Sequence, residues 1–222
     1  LEVRFKNVTG DIILSSGVIA YMGAFVTSYR EQALSDWSKL LRAKSIPCTD
    51  GYSLRATLGD EVKVRAWTIS RLPNDSFSIA NAIMLSRSNR WPLMIDPQGQ
   101  ANKWVKKMEA KGGLKVVKLN QPTFARAIEM SLQLGNPVLI ENVVEAIVPV
   151  LEPVLLKQFV KAGGGYTVRF GDSTVEYNFD FRLYLTTKFR NPHYAPETGV
   201  KVNLRTFMAT ADGLQDQMRG IA

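Results

Sequence analysis

The 222-residue sequence predicts an α/β fold: a mainly parallel sheet flanked by helices, interrupted by a β-hairpin insertion and preceded by an N-terminal helical segment. Three observations carry that expectation. Strand-like and helix-like stretches alternate from Arg90 to about Val160, the pattern of parallel strands joined by helical crossovers. The run Pro137-Val-Leu-Ile140 is too apolar to have a solvated face, so it belongs inside a sheet covered on both sides. Two alternating runs, Tyr166–Phe170 and Ser173–Tyr177, flank Gly171-Asp172, which is the signature of a hairpin.

Taken in order, residues 1–47 read as one long helix or two consecutive ones, with Asp11 as N-cap and Pro47 as stop. Val18, Met22, Phe25, Tyr29 and Ala33 recur at helical spacing and run on into Trp37, Leu40 and Leu41, an apolar stripe that calls for burial. Residues 48–73 are polar and broken, with an alternating run at 62–67. Leu72-Pro-Asn-Asp75 reads as a turn and Ser78–Asn89 as a short helix or an extended run. The expected division is therefore 1–73, a helical segment packing on the rest, and 74–222, the α/β subdomain. Core strands are expected at 91–95, 114–119, 137–141, 181–186 and 201–209. Helices are expected from about Lys103 to Lys111, stopped by Gly112-Gly113, from Pro122 to Gly135, and through 150–160.

Composition narrows the function classes. The net charge is +8 with a pI near 9.6, which raises nucleic acid as a partner. The densest basic group, Lys103, Lys106, Lys107, Lys111, Lys115 and Lys118, has no interleaved aromatics to stack on bases, so it reads as a solvated helix face and loop. One cysteine, Cys48, rules out an internal disulfide. One histidine, His193, leaves no Cys/His metal cluster. Ile12–Tyr29 carries no charge over 18 residues, but its Ser, Gly and Thr content fits a half-buried helix better than a membrane span. The chain begins with Leu1, as a piece of a longer protein would.

The chemistry centres on Arg90-Trp-Pro-Leu-Met-Ile-Asp-Pro-Gln-Gly-Gln-Ala-Asn-Lys-Trp-Val105. A strand, a tight polar loop and a helix opening with lysine form the layout of a phosphate-cradling loop, G-x-x-x-x-G-K-[ST]. With Lys103 in the lysine slot, Pro97 takes the first glycine slot, Asn102 the second and Trp104 the hydroxyl slot; Gly99 is the loop's own glycine. Pro97 has no N–H to offer and Trp104 cannot hold Mg²⁺. A working ATPase also needs an Asp and a Glu at the end of a later strand. Glu141 and Asn142 stand there, reading either as a degenerate acidic pair or as a plain strand end. Thr186 and Thr187 close the next strand, where a polar side chain would sense the terminal phosphate.

These segments, with Asn191-Pro-His-Tyr-Ala-Pro-Glu197, Asp212-Gly-Leu-Gln-Asp-Gln217, and Gly10-Asp-Ile-Ile-Leu14 before Tyr21-Met-Gly-Ala-Phe25, resemble dynein heavy chains over essentially the whole length. The resemblance is to the fifth of the six AAA+ modules of the motor ring, and the loop looks more axonemal than cytoplasmic. It implies a module without ATP hydrolysis, hence no catalytic residue, no metal site and no cofactor of its own, with ATP and Mg²⁺ in neighbouring modules. It implies the adjacent modules as partners, microtubules reached indirectly through the stalk, no nucleic acid and no membrane, a cytoskeletal place in a ciliary or flagellar axoneme, and a helical lid that these residues do not complete. AAA+ rings also pass an arginine to the neighbour's nucleotide, and Arg190 is the one arginine between the fourth and fifth core strands. An active phosphate-loop NTPase and a basic nucleic-acid-binding domain are the alternatives.

Overall fold

The computed structural model describes residues 2–208, with side chains from Phe5 onward. The Asp212–Gln217 motif and the end of the strand expected at 201–209 lie outside the described residues. The chain forms two compact units, with Ser88 closing the first and Asn89 opening the second.

The first unit is helical. Helix α1 (Glu2–Tyr21) and helix α2 (Thr27–Ala43) are separated by a 3-10 turn at Met22–Ala24. The two pack together so closely that a Cβ on Gly17 would meet the Trp37 ring. Arg30, 6% exposed, holds the turn by donating to the carbonyls of Phe25 (2.8 Å) and Gly23 (3.0 Å), with its guanidinium over the Phe77 ring. That reversal breaks the expected stripe. Val18 and Leu41 are buried, whereas Phe25, Tyr29 and Leu40 are exposed. Asp11 is not an N-cap: it sits inside α1, and its carboxylate accepts from the backbone and hydroxyl of Thr49. The broken stretch holds α3 (Leu54–Leu58) and α4 (Glu61–Ile69). The alternation at 62–67 is helical because Asp60 caps α4 by accepting from Val62 and Lys63, a local bond that outweighs the β-branched residues. Helix α5 (Ser76–Arg87) is capped in the same way by Asp75, which accepts from Ser78.

The second unit is the α/β layer structure. Strands β1 (Pro92–Ile95), β2 (Lys115–Lys118), β3 (Val138–Glu141), β7 (Leu183–Thr187) and β8 (Asn203–Thr206) form one parallel sheet in the order β2-β3-β7-β1-β8. The apolar third strand is interior, as its composition requires: Val138, Leu139 and Ile140 are fully buried. Helix α6 (Gln100–Met108) links β1 to β2, and helix α7 (Phe124–Leu134) links β2 to β3, ending at Gly135 with φ 76°. Helix α9 (Pro196–Lys201) precedes β8. Leu93, Ile128, Leu132, Ile140, Leu155 and Leu185 lie in the core.

The helix expected through 150–160 is corrected. Only α8 (Glu152–Leu155) forms there, after a 3-10 turn, and Lys157 turns the chain with φ 53°. Residues Phe159–Ala162 become strand β4, which joins β5 (Gly165–Phe170) and β6 (Ser173–Glu176) in an antiparallel sheet. The insertion is thus three-stranded. Its two-residue turns, Gly163-Gly164 and Gly171-Asp172, use the positive φ that glycine permits.

Candidate functional site

Strand β1 lies between β7 and β8; the connection after β1 leads to β2 at one edge of the sheet, whereas the connection after β7 leads to β8 at the other. Such a switch point opens a crevice at the carboxyl ends of the strands, where α/β proteins bind ligands. The crevice is present as an open cleft of about 360 Å³. Asp96–Gly99, Asn102, Lys103, Lys106, Lys118, Glu141, Asn142 and Thr186–Lys188 line it. The sequence-predicted residues Pro97, Gly99, Asn102, Lys103, Glu141, Asn142, Thr186 and Thr187 therefore meet in one place.

Trp104 does not join them. It is wholly buried on the opposite side of α6, its ring 6.0 Å from that of Phe207. Helix α6 also starts at Gln100, three residues before the expected Lys103, with left-handed Gly99 (φ 74°) as its N-cap. The consequence is electrostatic. The first N–H groups of a helix lack intrahelical partners and are what a phosphate loop aims at its ligand. Here Asp96 takes them. Its carboxylate, 2% exposed, accepts from the backbone N–H of Gln100 and of Asn102, each at 2.8 Å. Burial pushes the Asp96 carboxyl above its ordinary value, against the backbone donors that pull it down. The chain's own carboxylate fills the anion cradle.

The acidic position is likewise occupied. Glu141 accepts from the Asn102 amide (2.8 Å) and pairs with Lys106 at 2.6 Å. Burial raises its carboxyl, but the bonds to Lys106 and Asn102 and the charges of Lys106 and Lys118 outweigh that and hold it below the usual range. Asn142 turns the chain out of β3 with φ 55°, a left-handed conformation that asparagine tolerates. That turn explains its identity better than a lost catalytic Glu does. Thr186 and Thr187 are buried, donating to Ile140 O (3.4 Å) and accepting from Phe189 N (3.3 Å) respectively. Arg190 is exposed in the loop after β7 and lies outside the cleft lining.

A depressed carboxylate adds stability above its unfolded pKa and loses it as pH falls through the lower folded value. Glu141 contributes with that sign, whereas Asp96, being raised, contributes with the opposite one. Substituting Lys106→Ala removes the principal counter-charge while burial stays, so Glu141 is expected to titrate higher than in the unaltered chain. NMR observation of its carboxyl carbon reads this directly, and an unchanged titration would contradict the assigned cause.

Sequence reasoning missed three features. Asp96 as a cap was signalled by an Asp between a buried strand and a helix. Lys106 shares a helix face with Asn102, four residues away. The third, Glu109, is 7% exposed and accepts from Arg182 (3.1 Å) and Tyr184 (2.6 Å), tying the end of α6 to β7. It has no local signal, because its partners lie more than 70 residues on.

In core order the strands run 5-1-4-3-2, with a phosphate-loop-like turn after the first, an acidic residue at the end of the third and polar residues at the end of the fourth. Together with the flanking helices this is the architecture of an AAA+ α/β subdomain. A sequence model of the ATP-binding dynein motor region matches residues 65–222, and the chain belongs to that family. It is 51% identical to mouse dynein axonemal heavy chain 3 over 221 residues and 44% identical to human dynein axonemal heavy chain 1 over 220, covering 100% and 99% of this chain. The dynein-1-beta heavy chain of the flagellar inner arm I1 complex of Chlamydomonas reinhardtii is 45% identical over 211 residues, 94% of this chain. The chain spans 5% of the length of each of these relatives.

The family's description implies nucleotide, and the residues here do not fit Mg·nucleotide. The cradle N–H groups are taken by Asp96, and Glu141 is tied to Asn102 and Lys106. Trp104 is in the core where a metal-binding hydroxyl was expected. No group of three His, Cys, Asp or Glu side chains that could hold a metal occurs among the described residues.

Proposed function

We propose that the chain is a non-catalytic AAA+ module of an axonemal dynein motor ring, the fifth in order, which couples ATP-driven changes in neighbouring modules to the microtubule-binding stalk. The observation that carries this reading is the Asp96 carboxylate seated on the helix N–H groups that a nucleotide phosphate would need. A carboxylate there repels phosphate and satisfies the donors in advance. ATP and Mg²⁺ then act in other modules of the longer protein, a microtubule-motor ATPase of cilia or flagella. The partners are the adjacent modules and, through the stalk, microtubules. A nucleic-acid role is disfavoured because Lys103, Lys106 and Lys118 gather at the rim of one small cleft, beside Asp96 and Glu141, rather than along an extended stripe. No helix among the described residues is long and apolar enough to cross a membrane.

The geometry also favours a register one residue earlier than the lysine match gave. Asp96 then stands in the first glycine slot, Ala101 in the second, Asn102 in the lysine slot and Lys103 in the hydroxyl slot. This register puts Asn102 beside Glu141, as observed, and removes Trp104 from the motif. In either register no residue supplies the metal-binding hydroxyl.

Arg190 is the arginine we assign to the preceding module's nucleotide. Of the nearby alternatives, Arg182, though exposed, is paired with Glu109 and Arg205 is fully buried, whereas Arg190 is exposed in the loop after β7. The test is made in a complete heavy chain whose fourth module binds ATP. Lys103→Ala is expected to leave microtubule-stimulated ATPase within about twofold of the unaltered motor, whereas loss of an active phosphate-loop lysine or arginine finger costs orders of magnitude. Arg190→Ala is expected to weaken nucleotide binding at the neighbouring module. A collapse of turnover with Lys103→Ala would overturn the non-catalytic reading; unaltered nucleotide handling with Arg190→Ala would end the arginine assignment alone.

A further inference from the structure

The cleft retains a charge that its own chemistry does not use. Lys103, Lys106, Lys118 and Lys188 line it against two carboxylates, Asp96 and Glu141. Lys106 is paired with Glu141 at 2.6 Å. Asp96 points its oxygens back at the helix backbone, where Gln100 and Asn102 donate to it. Lys103, Lys118 and Lys188 are exposed and make no ion pair or hydrogen bond through their ammonium groups among the described residues, although the charge of Lys118 also acts on Glu141 from a distance. These three ammonium groups come from separate elements: the first turn of α6, the end of β2 and the residue after β7. A solvated helix face would set its lysines along one element. Here the sheet brings them from sequence positions up to 85 apart to one rim. Like charges gathered on one rim repel one another unless an anion joins them.

We infer that this cleft takes a small, multiply charged oxyanion of the diphosphate class without a metal ion. The inference rests on the proposed loss of nucleotide chemistry and deepens it. The cleft has kept the cations of a phosphate site and lost its metal ligands. The cleft volume of about 360 Å³ accommodates two phosphate groups with their water. Selectivity follows from charge. A working phosphate loop binds its anion with Mg²⁺ because a hydroxyl and an Asp hold the metal. In this cleft the metal has no ligand set, and a bound Mg²⁺ would meet the same lysines as the anion does. Magnesium therefore competes with the site for the anion, the reverse of its usual effect. The anion rests on the lysine rim and leaves Asp96 in place on the helix backbone.

The experiment is a calorimetric titration of the full chain with inorganic pyrophosphate, first with chelator and then with excess Mg²⁺, at low and at physiological salt. Saturable metal-free binding is expected, weakened by about tenfold or more with Mg²⁺ and weakened again as salt rises. Lys103→Ala and Lys188→Ala, both exposed and so not expected to disturb folding, should each weaken it by about fivefold or more, as loss of one near charge implies. Lys107→Ala, an exposed lysine of the same helix that does not line the cleft, should leave it unchanged. Absence of binding with and without Mg²⁺ overturns the inference while the non-catalytic reading stands. Binding strengthened by Mg²⁺ overturns both. An equal effect of Lys107→Ala overturns the cleft assignment in favour of diffuse surface charge.

Discussion

Replacing Trp104 with Thr, the residue type that the lysine match asks for, is expected to unfold the second unit rather than to restore a metal site. The Trp104 side chain has no exposed surface and packs on Phe207. Truncating a buried Trp costs about 3–5 kcal/mol through lost transfer energy and the cavity left behind. A threonine adds a hydroxyl with no partner in that cavity, at roughly 1–3 kcal/mol more. Against a total stability of about 5–15 kcal/mol that is a large fraction. Urea unfolding followed by tryptophan fluorescence would show a midpoint far below that of the unaltered chain. A stability within about 1 kcal/mol of the unaltered chain's, well short of the loss expected for a buried Trp, would mean that Trp104 is not the core residue described.

The second large effect is at Asp96. In Asp96→Ala the backbone donors of Gln100 and Asn102 lose their acceptor inside a half-buried loop. An unmet buried donor costs about 1–3 kcal/mol, and loss of a cap about 1 kcal/mol, so about 2–4 kcal/mol of destabilisation is expected. Asp96→Asn keeps one acceptor oxygen and should recover about half. The alanine variant should also gain stability from added phosphate, because the cradle is then open and the repelling charge is gone. Thermal unfolding with and without phosphate checks both parts. An Asp96→Ala protein as stable as its parent, or one indifferent to phosphate, would contradict the internal-anion account.

Most of the sheet was legible because its signals are local. Pro92–Ile95, Lys115–Lys118 and Val138–Glu141 are short apolar or alternating runs bounded by Pro, Gly or charged residues. They fell within one residue of the expected bounds. The errors have physical causes. Residues 62–67 alternate like a strand, yet one Asp60 side chain decides for helix. The apolar run 150–160 carries helix formers, but Pro153 confines the α-helix start to the turn it stands in, and left-handed Lys157 ends the helix and releases β4. The stripe from Val18 to Leu41 was expected to run on unbroken through one or two helices, and Gly23 with the Arg30 clamp turned the chain back. At the site, a motif's spacing picked out residues that the fold does bring to one cleft, Trp104 excepted. Lys103 attracted the match by type, while burial chose Trp104 for the core and left Asn102 to reach Glu141. The Glu109–Arg182–Tyr184 contact needed the fold itself, since nothing near any of the three marks the other two.

The central claim is that this cleft has exchanged nucleotide chemistry for internal partners. Calorimetric titration of the full chain with Mg·ATP tests it most directly. The account predicts no saturable binding below about 1 mM, near −4 kcal/mol and the level of nonspecific charge attraction. A dissociation constant in the micromolar range would contradict it.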